Sequence, residues 1–261
     1  KAFGTASDGG SGPDVEITSG AKSIHSSDNA FAVLMNNGTI IAWGDANHGG
    51  NTTGVDLSSG FVSITSNHYG FAGLKSDGSA VAWGDSRYGG DATGVDLSSG
   101  VLKIYSQKHA FAALKSDGTV VTDGGIYSGG CISGSGTSTY SCKPDDLADV
   151  VDMFANQDSF AALRSNGSLV VWGDADHGGS ATGVDLSSGV VEVVANDWAW
   201  AARKSDGTVV AWGYPTEGGD ASGVNLTGVT NIYSTNYAFA ALKSDGSVVA
   251  WGKSVDGGTA P

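Results

Sequence analysis

The stretch of sequence that decides the fold is Tyr-Ala-Phe-Ala-Ala-Leu-Lys-Ser-Asp-Gly-Ser-Val-Val-Ala-Trp-Gly, residues 237–252. Aromatic and β-branched residues flank the pair Asp245-Gly246, and such a pair favours a tight type I′ turn because both central positions of that turn need positive φ angles. The stretch therefore predicts two strands joined by a two-residue turn. The hairpin recurs five more times, with the turn pairs Asn37-Gly38, Asp77-Gly78, Asp117-Gly118, Asn166-Gly167 and Asp206-Gly207.

The spacing of these hairpins defines a tandem repeat. Phe31, Phe71 and Phe111 lie 40 residues apart, whereas the next step, to Phe160, is 49 residues. The third repeat therefore carries an insertion, at about residues 126–147. Repeats of this size bury little surface alone, so we expect them to stack into one domain over residues 1–261. The repeats are predicted to begin near Ala21, Phe61, Val101, Val151, Val190 and Val229.

Each repeat is predicted to form a three-stranded sheet with two apolar faces. The first strand reads Val-x-x-Ile, and in the middle strand Phe111 and Leu114 point to opposite faces, so both faces need cover. A ring of small sheets covers every face, which predicts an all-β propeller of six three-stranded blades. Seven blades with one incomplete is the alternative, and a β-solenoid is a less favoured one because its repeats are usually shorter.

The two ends of the chain have the same phase within the repeat. Lys1–Pro13 matches Val249–Pro261, so one strand is surplus to six complete units. We expect this strand either to cap its own terminal blade or to pair with the exposed sheet edge of another molecule. The chain opens at Lys1 in mid-repeat, and no signal peptide is visible, which is compatible with a removed leader.

The repeat unit, with the loop Asp85–Asp91 that follows it, resembles the regulator-of-chromosome-condensation repeat over nearly the whole chain. Within that superfamily, the short period and three-stranded unit are most similar to the secreted β-lactamase inhibitor propeller. The resemblance implies a propeller, normally of seven blades. It also implies that turns before the middle strands carry aromatic contacts to a partner. The residues that match are Tyr69, His109, Trp198 and Tyr237, whereas Asn29 and Ser159 do not match.

Two residues depart from the repeat. Asp123 replaces the tryptophan of the third strand just before the insertion, which indicates that this blade has lost a packing residue. Arg203 replaces the leucine of the middle strand, where its guanidinium could stack on Trp198 or Trp200, or extend to solvent at a blade edge. We include Arg203 among the candidate binding residues. The recurring tryptophans Trp43, Trp83, Trp172, Trp212 and Trp251 are interpreted as packing residues.

Charge and motifs exclude several classes of function. The formal net charge of −14 argues against nucleic acid as a partner, because phosphates are bound mainly by Lys and Arg. The chain has no apolar run of the roughly 18–20 residues that a membrane span needs. It has no nucleophile elbow, phosphate loop or zinc-protease motif, and Asp174 and Asp176 alone are too few ligands for calcium. We therefore predict no enzyme activity, no cofactor and no metal.

Cysteines and sequons indicate an extracellular location. Cys131 and Cys142 lie in the insertion, and a disulfide between them implies an oxidising compartment, although two free thiols in a cytosolic protein are the alternative. Four Asn-x-Ser/Thr sequences could accept glycans, at Asn37, Asn51, Asn166 and Asn225. The sequence thus predicts a secreted, non-catalytic interaction or structural module. The alternatives are a subunit of an extracellular filament or longer tandem array, an enzyme inhibitor, and a glycan-binding module.

Overall fold

The computed structural model describes Thr5, residues 17–125, Gly129, residues 140–145 and residues 147–259. These residues form six antiparallel sheets, numbered 1 to 6 in chain order. The chain divides into two compact units, of which the first holds sheets 1 to 3 and the second holds sheets 4 to 6. A single domain over residues 1–261 stays a prediction.

The first unit contains three sheets, in each of which consecutive strands are neighbours. Sheet 1 consists of β1 (Ala21–Ser26), β2 (Ala30–Met35) and β3 (Ile40–Gly44). Sheet 2 consists of β4 (Phe61–Ser66), β5 (Gly70–Lys75) and β6 (Ala80–Gly84). Sheet 3 consists of β7 (Val101–Gln107), β8 (Ala110–Lys115) and β9 (Val120–Gly124).

The second unit repeats this arrangement with one addition. Sheet 4 consists of β10 (Tyr140–Ser141), β11 (Val150–Ala155), β12 (Ser159–Arg164) and β13 (Leu169–Asp174). Sheet 5 consists of β14 (Val190–Ala195), β15 (Ala199–Lys204) and β16 (Val209–Gly213), and sheet 6 of β17 (Val229–Ser234), β18 (Ala238–Lys243) and β19 (Val248–Gly252). Short helical turns of three to five residues follow the third strands of sheets 1 and 2 and the last strands of sheets 4, 5 and 6, and the described residues contain no α-helix.

The insertion changes one sheet from the predicted three strands to four. Its residues Tyr140 and Ser141 pair with Asp174 and Gly173 at the edge of β13. The sequence assigns the insertion to the third repeat, and the structure shows that its end is added to the sheet of the fourth. Within the described part of the chain, the other five sheets have three strands. Five of the six predicted repeat starts match the start of a strand, whereas β11 of sheet 4 begins at Val150 rather than Val151.

The prediction of a type I′ hairpin turn is wrong. Gly246 has φ +82°, but Asp245 is not among the residues with positive φ. The amide of Gly246 donates to the carbonyl of Lys243, and the amide of Lys243 donates to the carbonyl of Ser247. The loop is thus three residues long, a type I turn followed by a left-handed glycine. The Asp245 side chain favours this geometry because its Oδ1 accepts the amide of Ser247 at 2.9 Å.

A β-bulge explains why the first strand reads Val-x-x-Ile. In a regular strand, residues three apart point to opposite faces. Pairing shifts by one residue near the start of every first strand, for example between Val101 and Lys103, so that Val101 and Ile104 are both buried on the same side of the strand. The extra residue, Leu102, is 60% exposed.

Within each unit, successive sheets pack face to face. Phe71 and Trp83 of sheet 2 pack with Leu34 of sheet 1, and Phe239 of sheet 6 packs with Ala201 of sheet 5. Since both faces of the middle strand contribute to such clusters, the predicted two-faced core is confirmed. Small residues in the middle strands allow the close approach, and most of them are fully buried.

Buried tryptophans link neighbouring sheets by hydrogen bonds as well as by packing. The indole Nε1 of Trp83 donates to the carbonyl of Gly49, in the loop after sheet 1, at 3.1 Å. Trp212 and Trp251 make the same bond to Gly178 and Gly218, each at 3.0 Å. These tryptophans are therefore packing residues, as interpreted from the sequence, and their indole N–H groups also link neighbouring sheets, which the sequence did not predict.

Sheet 3 lacks this link because Asp123 stands at the tryptophan position. A cavity of about 20 Å³ lies beside it, which is room for about one water molecule. Its lining includes Gly89, Phe111 and Val121. The Oδ2 atom of Asp123 is buried without a hydrogen-bond partner among the described residues. Burial, with a smaller contribution from the charge of Asp91, raises the pKa of Asp123 to about 6.

Two predictions fall outside the described residues. The disulfide involves Cys131, and the surplus strand involves Lys1–Pro13, of which only Thr5 is described. Both stay predictions. Among the described residues, no helix is long and apolar enough to span a membrane.

Candidate protein-binding rim

The turns that precede the middle strands are fixed by a polar side chain that recurs in the repeats. In sheet 2, Asn67 Oδ1 accepts the amide of Tyr69 at 2.8 Å, and Asn67 Nδ2 donates to the carbonyl of Tyr88 at 2.7 Å. One side chain thus joins the turn before the middle strand to the loop after the third strand. We call this arrangement the rim latch. Side chains that donate to a carbonyl 21 residues ahead in this way are Ser27, Asn67, Asn156, Asn196 and Thr235.

Sequence reasoning missed the rim latch. The signal is present as a run of short polar residues, Ser, Asn, Gln, Asn, Asn and Thr, at the end of each first strand or just after it. The residue type varies, so the position does not look constant when letters are compared. These residues share a side-chain oxygen or nitrogen that can reach both the turn before the middle strand and the loop after the third strand.

The first rim cluster is a group of five neighbouring rings in the first unit, some stacked and some tilted, consisting of His48, His68, Tyr69, Tyr88 and His109. Tyr69 is its centre, with ring centroids 4.2 Å from Tyr88, 5.4 Å from His48 and 5.6 Å from His109. The rings of Tyr88 and His109 are 5.3 Å apart. Two predicted rim residues, Tyr69 and His109, are therefore brought together, and the loop residues His48 and Tyr88 join them.

Carboxylates surround the first rim cluster. Asp28 lies 3.1 Å from His68 Nδ1, and Asp45 lies 2.7 Å from His48 Nδ1. The hydrogen bond from His48 lowers the pKa of Asp45. Burial, followed by the neighbouring Tyr88 and the charge of Asp28, raises the pKa of Tyr69. The cluster is thus an aromatic surface with negative charge around it.

An arginine of the chain already occupies part of this surface. Arg87 donates to both carboxylate oxygens of Asp85, at 3.0 and 2.7 Å, and its guanidinium lies 5.3 Å from the ring centre of Tyr88. The Arg87 hydrogen bond lowers the pKa of Asp85. The pairing shows that the combination of aromatic face and carboxylate accepts a guanidinium.

The second rim cluster lies in the second unit and consists of Asp158, Asp174, His177, Trp198 and Tyr214. The His177 ring stacks on the Trp198 indole at 4.2 Å, and Tyr214 meets the indole edge-on at 5.7 Å. His177 is 8% exposed, and its two ring nitrogens lie 3.6 Å from Asp158 and 3.5 Å from Asp174. The predicted residue Trp198 is therefore held from both sides by its own unit.

Tyr237 stands on the turn next to that of Trp198. The amide of Asp197 donates to the carbonyl of Asn236 at 3.2 Å, which links the two turns. Lys253 lies over the Tyr237 ring at 4.5 Å. As in the first unit, a cation of the chain rests on a rim aromatic.

The structure corrects the assignment of one turn residue made from the sequence. Asp158, not Ser159, occupies the position equivalent to Tyr69, because Ser159 begins β12 and is fully buried. Ser159 Oγ accepts the indole N–H of Trp200 at 2.9 Å and donates to the carbonyl of His177 at 2.7 Å. Ser159 is thus a structural residue.

Arg203 does not lie on the rim. It lies near the far end of β15 from Trp198, and its Nε donates to Glu192 at 2.7 Å. Glu192 is its cross-strand neighbour and also accepts the amide of Ile232 in the next sheet. The guanidinium pairs with a carboxylate rather than an indole, so we leave Arg203 out of the binding surface.

The four predicted glycan acceptors are exposed turn residues. Asn37, Asn51, Asn166 and Asn225 each accept the amide of the residue two positions ahead through Oδ1. Asp77, Asp117, Asp206 and Asp245 do the same in other repeats. Turn geometry alone explains these asparagines, and their glycosylation stays a prediction.

The described residues hold no group of three or more histidine, cysteine, aspartate or glutamate side chains placed to bind a metal. Asp174, considered above for calcium, caps its own turn by accepting the amide of Asp176 at 2.8 Å. Its second partner is His177. The acidic loop is accounted for by this local bonding.

Comparisons with known proteins identify the fold. No protein-family description and no curated protein matches the chain. Among solved structures, it is similar to human WBSCR16 (TM-score 0.55, 16% identity, 93% of this chain and 79% of that chain). It is also similar to yeast RCC1 (Prp20) in its complex with Kap60 (0.50, 15%, 85% and 68%) and to the ectodomain of the Physcomitrella patens receptor kinase CR4 (0.50, 16%, 89% and 62%).

The fold is an all-β propeller of about six blades. The match to RCC1 confirms the predicted likeness at the level of fold. This chain spans 62% of the moss ectodomain. At identities of 15–16%, the similarity extends to the fold alone.

Proposed function

We propose that this chain is a non-catalytic protein-binding module that works outside the cell and engages its partner through Tyr69, His109, Trp198 and Tyr237. The observation that carries the proposal is the first rim cluster, in which five rings lie in continuous contact on turns fixed by rim latches. Aromatic residues are common anchors of protein interfaces. Turns that are already fixed lose little conformational entropy on binding.

The proposal includes the closer resemblance to the β-lactamase inhibitor propeller that the sequence indicated. It is supported by aromatic residues at the turns that match. The carboxylates around the first rim cluster, together with Arg87 on Tyr88, favour a partner that presents lysine or arginine. An enzyme with a basic surface, held in an inhibited complex, is one partner of this kind.

The rim proposal is tested with variants Tyr69→Ser and Tyr237→Ser. Protein partners are captured from the extracellular medium of the source on the purified chain, and affinities are then measured by calorimetry. Loss of an aromatic anchor costs about 2 kcal/mol or more, which weakens binding roughly 30-fold. Tyr233→Ser is the matched control, since Tyr233 is 58% exposed on β17 and lies outside the rim.

Three outcomes contradict the rim proposal. Equal affinities for the wild type and both rim variants place the binding surface elsewhere. A glycan-array signal without protein capture assigns the chain to glycan binding. Substrate turnover that depends on a carboxylate of the chain makes it an enzyme.

The extracellular location is tested through the cysteines. We expect Cys131 and Cys142 to form a disulfide, so that reduction raises the intact mass by about two hydrogen atoms. The loop they close is short, and such a loop stabilises by roughly 3 kcal/mol in the chain-entropy model. An unchanged mass in protein isolated without reductant removes the bond and the main support for secretion.

A further inference from the structure

The tryptophans of the third strands supply N–H donors to the loops of the preceding sheets. Each indole Nε1 donates to a glycine carbonyl in such a loop at 3.0–3.1 Å, and each indole ring stacks on the aromatic residue of its middle strand. Bonds of this kind join Trp83 to Gly49, Trp172 to Gly129, Trp212 to Gly178 and Trp251 to Gly218. In these sheets, the glycine carbonyl is therefore an acceptor for an N–H group.

Sheet 3 keeps the acceptor of this bond but has Asp123 in place of the tryptophan. Gly89, in the loop after sheet 2, is the counterpart of Gly49 and is buried, and no N–H or O–H group of the described residues donates to its carbonyl. Phe111 is the counterpart of Phe71, and no ring of the described residues stacks on it. The acceptor and the aromatic ring of the repeat are thus both present without an indole between them.

Asp123 adds a carboxylate to this acceptor. The cavity of about 20 Å³ is lined by Gly89, Phe111 and Asp123 itself, and most of the remaining lining is aliphatic. The Oδ2 atom of Asp123 is buried and has no hydrogen-bond partner among the described residues. The charge that acts on Asp123 is that of Asp91, which is also negative. The cavity therefore presents two oxygen acceptors, one of them charged, and an aromatic ring.

The size of the cavity and its acceptor groups decide which ligand fits. The volume accepts one group of the size of water, which excludes an indole or a guanidinium. Two oxygens are too few for calcium, which needs six to eight oxygen ligands. Ammonium has about the size of water, donates several hydrogen bonds, pairs with a carboxylate and is attracted to aromatic rings. Water also fits, but it leaves the carboxylate charge unpaired.

We propose that the cavity beside Asp123 binds an ammonium group, which donates to Asp123 Oδ2 and to the carbonyl of Gly89 and lies against Phe111. The group is either the free ammonium ion or the end of a primary amine. It takes the role of the indole N–H in the other sheets, so binding ties sheet 3 to the loop after sheet 2. Asp123 is only partly buried, which leaves a route from solvent. The net charge of −14 favours the accumulation of small cations near the chain.

Urea unfolding at pH 7.5 in different chloride salts tests the site. The salts are those of ammonium, methylammonium, potassium and tetramethylammonium, the last of which has no N–H group. A ligand that binds only the folded protein stabilises it in a concentration-dependent way. Ammonium is therefore expected to raise the urea midpoint of the wild type more than potassium or tetramethylammonium does. A methylammonium effect as large as that of ammonium assigns the site to primary amines, and a smaller one assigns it to the free ion.

The dependence on pH separates this site from a general salt effect. Because the pKa of Asp123 is about 6, the ionised fraction of its carboxyl group falls roughly 30-fold between pH 7.5 and pH 4.5. Ammonium pairs with the ionised form. Its affinity is therefore expected to fall by the same factor, so that at pH 4.5 ammonium stabilises no more than potassium does.

Variants at the same position give the decisive comparison. Asp123→Asn removes the charge, and Asp123→Trp restores the residue of the other repeats, so both are expected to lose the ammonium effect at pH 7.5. Asp117→Asn is the matched control, because Asp117 is exposed on the turn of the same hairpin, and this variant is expected to keep the effect. In nuclear magnetic resonance with ¹⁵N-labelled ammonium chloride, a bound ammonium signal is expected for the wild type and not for Asp123→Asn.

Several outcomes overturn the proposal. They are equal effects of ammonium and potassium on the wild type, an ammonium effect that persists in Asp123→Asn, and an affinity for ammonium that is the same at pH 7.5 and pH 4.5. The absence of any stabilisation by ammonium or methylammonium would show that the cavity takes water alone. The proposal is independent of the rim. Tyr69→Ser and Tyr237→Ser are expected to keep the ammonium effect, so failure of the rim proposal and failure of this one are seen separately.

Discussion

At residue scale, Asp123 shows what one departure from a repeat does to the fold. Five of six repeats place an indole at this position, and the carboxylate that replaces it leaves part of the space empty. One of its oxygens lies buried beside a small cavity. The sequence predicted the loss of packing, whereas the raised pKa depends on burial that only the structure gives.

Asp123 should make stability depend on pH. With a folded pKa of about 6, above the ordinary value of about 3.9, the carboxyl is protonated in both states only well below pH 4, and its destabilising effect grows as the pH rises from about 4 to 6. The shift corresponds to about 3 kcal/mol, which we reduce to roughly 1–2 kcal/mol because the residue is partly exposed. We expect the unfolding free energy of Asp123→Asn to be close to that of the wild type at pH 4 and to exceed it by this amount at pH 7.5.

The measurement is urea unfolding of both proteins across pH 4–8, because the difference between them cancels the other carboxylates. Asp117→Asn is the control, since a hydrogen bond from Thr119 lowers the pKa of Asp117, and its difference from the wild type is expected to have the opposite pH dependence. A constant difference between Asp123→Asn and the wild type would show that Asp123 does not titrate in this range.

At element scale, the hairpins and their period were predictable because alternating apolar residues and Asp-Gly pairs are local signals. The turn type was not predictable, because an aspartate can adopt either positive or negative φ. The hydrogen bond that Asp245 accepts from Ser247 favours the negative φ that is observed. Strand β10 was not predictable either. Its pairing with β13 joins the inserted loop to the following repeat, and no local pattern encodes which edge it meets.

The rim latch carries an element-scale prediction. Asn196 Oδ1 accepts the amides of Trp198 and Ala199, and its Nδ2 donates to the carbonyl of Glu217. Asn196→Ala leaves these buried and partly buried groups without this partner, so we expect a loss of about 2–3 kcal/mol in unfolding free energy.

Asn225→Ala, measured in unglycosylated protein, is the matched control. Asn225 makes one exposed bond of the same kind, and its loss is expected to cost less than about 1 kcal/mol. Equal losses for the two variants in urea unfolding would show that the rim latch contributes nothing beyond an ordinary turn.

At the scale of the whole molecule, the stacking of repeats could be predicted from the two apolar faces of the middle strand. The similarity to propellers could be predicted from the sequence of the repeat unit. The binding role of the rim stays a prediction, and only some of its residues could be found from the sequence. Tyr69, His109, Trp198 and Tyr237 could be found from variation among the turns, but His48, Tyr88 and His177 come from loops about 20 residues further along. They join the rim clusters only because the rim latch brings the two segments together.

The indole bonds between sheets also determine how force passes through each unit. Trp212 ties sheet 5 to the loop after sheet 4, and Trp251 ties sheet 6 to the loop after sheet 5, so each tie spans one boundary and no more. Tension applied along the chain then loads these ties one after another rather than together. We therefore expect a unit pulled along the chain to unfold one sheet at a time, while the sheets that are still tied stay folded.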